Sequence, residues 1–554
     1  MTNRFINVQK NKIMAKGLKI QLPSAVTDAE GLRKLEHYYG IEFTRGASNG
    51  GGDNGYHKMI GDETLLKEMR FHNQMKIVTV GKDAAIKSTL NQVNWNKMDS
   101  GDASVIDGSD DTDVIQAHTK NVYAIIGGTN PTYERYIVSD QPFTYDGDEA
   151  KEYLAYGETP DYVTLLNGVV RSIRNDDVDG THGAGNGTNH SSAGYGTAEA
   201  GGYPKTQLSR FAFEQYARAK NTDPNSNLPY MNICNQDVEL TQAFMFIEFR
   251  TKQLNGILGH GMSTVSIPTK ETWGKVSGFR ITTDNGATYK YVGLGTNLYL
   301  NSSTTGTTMW AILNGSCPLL KMFEAQLAVS NGDTLEAVNN SDGEPVQGLS
   351  DGVMTGIWTK TFSFKVNASL TSGGAPELLS VDAVLRVPVW RGRTRLWGNC
   401  SQWYSGYELL RYLDEGGLTH HKIYRSPSVE ALVKDSDVTD NTEEGQFEFE
   451  KKYNYLGELP TITVDAGYWA KETHKDGDIS TPLVKTGGGA LSTYESAFFW
   501  AQKHPTAGTY SRRGTRFGGP ASEGNAALRY ALCSVSPSNA YSSIGSGFRV
   551  ELSD

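Results

Sequence analysis

The side chains best suited to gripping a partner gather near the end of this chain. Arg512, Arg513 and Arg516 crowd together, flanked by Tyr510 and Phe517, in a 554-residue chain whose net charge is −10. Guanidinium groups hold carboxylates through two parallel hydrogen bonds, so the cluster predicts an acidic partner such as an anionic glycan. Other groups offer less. Cys234, Cys317, Cys400 and Cys533 are scattered singly with no Cys-x-x-Cys, which predicts neither a disulfide framework nor a zinc site. His182 and His190 could ligate a metal, but they sit in a Gly-rich run that cannot preorganise ligands. Asp107, Asp110, Asp111 and Asp113 could supply calcium with oxygens, yet the stretch 99–113 fails the EF-hand spacing and reads as a solvated acidic loop. Glu443 and Glu444, with Glu448 and Glu450 beyond, read as solvated charge and not as a glycosidase pair. His420 and His421 are adjacent, so on a strand they face opposite sides. There is no Gly-x-Ser-x-Gly elbow, Walker loop or His-Glu-x-x-His. No catalytic residue, cofactor or metal site is expected.

Hydrophobic periodicity predicts the elements that must position these groups. A capping-box pattern at Thr27–Glu30 precedes Leu32, Leu35 and Tyr38 or Tyr39 on one helical face before Gly40. A second short helix is expected at 62–71, with Leu65, Leu66 and Met69 on one face. Strands are expected at 76–80, 121–126 and 135–138, and Gly-rich loops at 47–55 and 179–202. Two further helices follow at 209–219 and 237–254. The second buries Leu240, Phe244, Ile247 and Leu254 at helical spacing. Long strands are then expected at 357–366 and 379–389, and a short one at 446–450.

The terminal segments arrive in a distinctive order. Tyr510-Ser-Arg-Arg-Gly-Thr-Arg-Phe-Gly-Gly is followed by Asn525-Ala-Ala-Leu-Arg-Tyr-Ala-Leu-Cys533, then Ser536-Pro-Ser-Asn-Ala, then Ile544-Gly-Ser-Gly-Phe-Arg-Val-Glu-Leu552. This resembles the end of the C-type-lectin-like fold of formylglycine-generating enzymes and of the variable proteins of diversity-generating retroelements. Leu396-Trp-Gly-Asn-Cys-Ser-Gln-Trp403, with Tyr404-Ser-Gly-Tyr407 after it, resembles the Gly-Asn-x-x-x-Trp segment of those families. The run 244–253 resembles a helix of lectin-like fibre proteins carried by phages and prophages of gut bacteria.

The resemblance implies an α+β fold: a C-type-lectin-like domain over 206–552 with a β insertion at 270–352. A mixed, loop-rich β base domain over 1–205 would precede it. It also implies a ligand surface just before the terminal strands, formed by Tyr510, Ser511, Arg513, Thr515, Arg516, Phe517, Glu523 and Asn525. Tyr530, Ser538, Asn539 and Tyr541 lie in the same stretch. Tyr and Arg bring contact area and Ser and Asn adaptable hydrogen bonds, as in antibody paratopes. Arg529, Phe548 and Arg549 match the fold's own signature, with the arginines in structural ion pairs. Arg516-Phe-Gly-Gly-Pro stands where retroelement proteins commonly have Gly-Gly-Ser-Trp, which departs from a diversified segment. The enzymatic branch binds copper through paired cysteines. Here Cys533 has no near partner, so it is expected to be a small core residue and the chain not to be an enzyme.

Composition sets the outer bounds. Hydrophobic residues make up 38%, while 61 Gly and 28 Tyr point to loop-rich β structure with an aromatic surface. The acidic balance argues against nucleic-acid binding, and no run approaches the roughly 18 apolar residues of a membrane span. The first residues carry no signal-peptide pattern, so synthesis in a host cytoplasm and display on a virion surface are expected. The expected role is a phage fibre or tropism-type adhesin, acting as a homotrimer, that binds a bacterial surface glycan or protein alongside other virion proteins. A structural head or tail decoration protein is the alternative, and a formylglycine-generating-type oxidase the second.

Overall fold

A computed structural model describes residues 38–45, 57–61, 71–92, 98–101, 113–172, 205–258, 386–434, 440–469, 497–518 and 529–553, apart from a few positions inside these ranges, together with separate strand segments between 278 and 381 and at 484–485. Among these residues 45% lie in strands and 14% in helices. The expected α+β class with lectin-like helices is thereby overturned: the protein is mostly β. Strand ladders take up the backbone groups of its aromatic-rich, Gly-punctuated segments.

The first departure is at Tyr38–Thr44. Tyr38 and Tyr39 open a strand instead of closing a helix. That strand is paired on both sides, with His57–Gly61 and with Tyr133–Ser139. Two ladders satisfy its backbone and bury its side chains; the rest of the helix expected from Thr27, with Leu32 and Leu35, lies outside the described residues. The helix expected at 62–71 lies almost wholly outside the described residues. The strands expected at 76–80, 121–126 and 135–138 are present as Met75–Val80, Val122–Gly127 and Tyr133–Ser139.

Three sheets carry the described fold. A five-stranded sheet runs Lys151–Tyr153, Val122–Gly127, Tyr133–Ser139, Tyr38–Thr44, His57–Gly61 in spatial order. In the second, the terminal strand Phe548–Glu551 lies between Tyr156–Glu158 and Tyr230–Asn232. That sheet continues through Asp113–His118 and Met75–Val80, so it joins chain from both sides of the boundary expected at 205/206. The third has ten strands. Its central path is Asn454–Ile462, Thr419–Arg425, Ser401–Leu413 and Tyr510–Phe517. One core cluster unites Tyr39, Tyr136, Phe244, Trp390, Leu409 and Phe517.

The strands expected at 357–366 and 379–389 are each divided. Gly356–Thr359 pairs with Arg386–Val389, and Ser363–Val366 pairs with Leu378–Val381. Ser363–Val366 and Leu378–Val381 belong to a five-stranded antiparallel sheet that also contains Gly278–Thr283, Thr288–Gly293 and Thr334–Val338. That sheet therefore runs past position 352.

Two helices brace the sheets. Arg210–Arg218 starts where the Ser209 hydroxyl accepts the Ala212 N–H at 3.1 Å. Asn235–Phe249 starts where the Asp237 carboxylate accepts the Cys234 N–H at 2.8 Å, and it ends at Arg250, which takes a left-handed φ of 55°. The expected buried residues Leu240, Phe244 and Ile247 are inside, but so are Asp237, Glu239 and Gln242 on other faces. The helix is enclosed nearly all round, and its acids survive burial through partners: Glu239 with Arg425 at 2.5 Å, Asp237 with Arg549 at 3.6 Å. The strand expected at 446–450 is instead the helix Glu448–Lys452. The Glu450 carboxylate accepts the N–H groups of Gly445 and Phe447, each at 3.1 Å, and this cap outweighs the short alternation.

Candidate binding surface

The long strand Ser401–Leu413 connects the protein's interior to its exposed end. Near its middle Glu408, fully buried, accepts from Arg210 at 2.5 Å and from Arg512 at 2.7 and 3.0 Å. Burial alone would raise the Glu408 carboxyl, but the two guanidiniums outweigh it and hold it below its usual range. This triad ties the Arg210–Arg218 helix to two adjacent strands. Just before it, Gly406 has a φ of +91°, and a Cβ there would lie 2.1 Å from Asn235 Oδ1. That is where the pairing register between the long strand and Tyr510–Phe517 shifts.

Four residues beyond Glu408, Tyr412 emerges at the edge of the core. His420 lies opposite it on one neighbouring strand and Tyr510 on the other. The His420 ring stacks on Tyr412 at 4.5 Å and 7°, the Tyr510 ring at 4.9 Å and 27°. His420 is steadied by Asp414 at 3.1 Å and Glu458 at 3.4 Å. Lys422 stands 5.4 Å from the Tyr412 ring and pairs with Glu444. Tyr455, 54% exposed, leans on Tyr424 at 5.5 Å. His420, Lys422 and Tyr424 alternate along one face of their strand, His420 opposite Tyr412 on one side and Lys422 and Tyr424 opposite Glu458 and Tyr455 on the other, so these rings belong to one surface. Partial burial raises the phenols of Tyr412 and Tyr455, which keeps them protonated hydroxyls at neutral pH. Neither of them, nor Tyr510, hydrogen-bonds through its hydroxyl to another described residue. Asp414 is lowered by the Leu418 N–H and then by His420, and stays a carboxylate.

The residues expected to bind from sequence divide by burial. Tyr510, Arg513 and Arg516 are half-buried. Ser511, Thr515 and Phe517 are interior. Ser511 accepts from Arg411 at 3.3 Å, Thr515 donates to the Tyr407 carbonyl at 3.4 Å, and Phe517 packs edge-on to Tyr404 at 4.9 Å. Arg512 is wholly inside, so of the three clustered arginines only Arg513 and Arg516 reach the surface in part. Glu523 and Asn525 lie outside the described residues, as do Cys533, Cys317, Cys400, His182, His190 and the side chains of Arg529 and Tyr530. Ser538 and Asn539 are half-buried and Tyr541 is exposed. Asp113, expected in a solvated loop, is buried and paired with Lys220 at 2.7 Å. Arg549 does lie in an internal ion pair.

His420 and His421 do face opposite ways. His421 is interior, its Nε2 against the Gln502 carbonyl at 3.1 Å, and burial lowers it to about 3. Sequence reasoning passed over Tyr412, Lys422, Tyr455 and Glu458. The run Asp414-Glu-Gly-Gly417 held the signal, because counting outward from a hairpin turn sets 412 opposite 420. Among the described residues no group of His, Cys, Asp and Glu is arranged to hold a metal ion, and no helix is long and apolar enough to cross a membrane. Comparison with family models and with curated proteins finds no match.

Proposed function

We propose that this chain is a surface protein of a phage virion, of fibre or tropism-determinant type, that turns an adhesive face toward the bacterial host. Its partner is a bacterial surface glycan or protein. The observation that carries the reading is the ring row His420–Tyr412–Tyr510, which holds hydroxyls without described partners at the open end of a sheet anchored by Glu408. Tyrosines fixed by their neighbours give contact area with little ordering cost, the property shared by paratopes and interface hot spots. The order of the terminal motifs supports the same reading. Homotrimeric assembly would raise weak single-site affinity by ~10²–10⁴ through effective concentration.

Two measurements test it. Antibody against the chain should decorate intact particles in electron micrographs, and purified chain should compete with particles for adsorption to host cells. Particles left unlabelled, or adsorption indifferent to excess chain, would overturn the proposal.

A further inference from the structure

We infer that the ligand of this face is an uncharged, hydroxyl-rich glycan, recognised by tyrosine hydroxyls and carboxylates rather than by the arginine cluster. The inference rests on the adhesive reading above and names its ligand class. The ring row decides the first part. Tyr412 has His420 stacked on it from one strand and Tyr510 from the other, so its ring faces are taken and its edge and hydroxyl are what remain for a ligand. Phenol hydroxyls both donate and accept, which suits an array of sugar hydroxyls. Tyr455, the most exposed ring here, supplies a negative ring face for the C–H side of a sugar.

Charge decides the second part. Asp414, Glu444 and Glu458 border the row, and the nearest cation, Lys422, is already paired with Glu444. Carboxylates accept hydrogen bonds from vicinal hydroxyls, but they repel a uronic or sialic acid, and like charges across an interface cost several kcal/mol. Of the three clustered arginines, Arg512 is enclosed with Glu408, and Arg513 and Arg516 are half-buried outside the ring row. Opposite the sequence-based expectation, the face therefore selects against anionic glycans.

The test is an array of immobilised oligosaccharides, one set built from neutral hexoses and N-acetylhexosamines, the other carrying uronic or sialic acids. The full chain should bind members of the neutral set. Tyr455→Ala and Tyr412→Ala should each weaken that binding about tenfold, the loss of one hot-spot side chain. Glu458→Gln should weaken neutral binding and narrow the discrimination against acidic members. Thermal melting of each variant separates lost contact from lost fold. Preference for the acidic set would overturn the inference. So would no glycan binding combined with host adsorption that Tyr412→Ala abolishes, which would leave the adhesive reading standing with a protein receptor. Adsorption unchanged in both tyrosine variants would overturn the adhesive reading itself.

Discussion

Tyr412 and His420 face each other across a hairpin with rings 4.5 Å apart and only 7° from parallel. The hairpin turn sets the pairing, and Asp414 and Glu458 hold the imidazole in plane. Stacking and hydroxyl chemistry can be separated here. Tyr412→Phe keeps the stack and removes the hydroxyl, so stability should move by no more than ~0.5 kcal/mol while competition for host adsorption falls. Tyr412→Ala loses two stacked pairs, worth about 0.5–1.5 kcal/mol each. Urea unfolding of both variants checks the difference.

Glu408→Gln should destabilise the protein by about 3–5 kcal/mol, because it leaves Arg210 and Arg512 buried beside a neutral amide. The folded carboxyl lies below its usual range, so its contribution is full above the unfolded value near 4.3 and is lost as pH falls through the folded one. The midpoint of denaturant unfolding at neutral pH measures the first effect.

Histidine burial should make the protein acid-sensitive earlier than its carboxylates do. His118, stacked between Tyr156 at 4.8 Å and Phe244 at 5.5 Å, is lowered to about 3 by burial, and His421 likewise to about 3. Unfolded histidine titrates near 6.5, so between those values the unfolded chain binds more protons and stability falls as pH drops. Each group can add up to about 1.4 kcal/mol per pH unit. Melting temperatures from pH 7 to 5 should decline, and less steeply in His118→Phe.

Phe517→Ala should cost about 3–5 kcal/mol of stability, since the ring is 1% exposed and packs on Tyr404 and Tyr407. Any loss of host adsorption should then track unfolding, in contrast to Tyr412→Phe. Circular dichroism and adsorption measured on the same preparation distinguish the two.

The sequence by itself determined what is local. The Arg210–Arg218 helix, the strands at 75–80, 122–127 and 133–139, and the opposite facing of His420 and His421 follow from periodicity and neighbouring residues. Tertiary structure decided which faces are inside. Arg512 and Glu408 lie 104 positions apart, and only the pairing of their strands turns a surface-like arginine into an enclosed one. The same pairing sends Phe517 inward and leaves Tyr412 at the rim. Tyr38 and Phe449 likewise took the element their distant partners and local caps favoured, because a few apolar residues fit a short helix and a strand equally well. Burial is a property of what packs above a residue, and that information lies elsewhere in the chain.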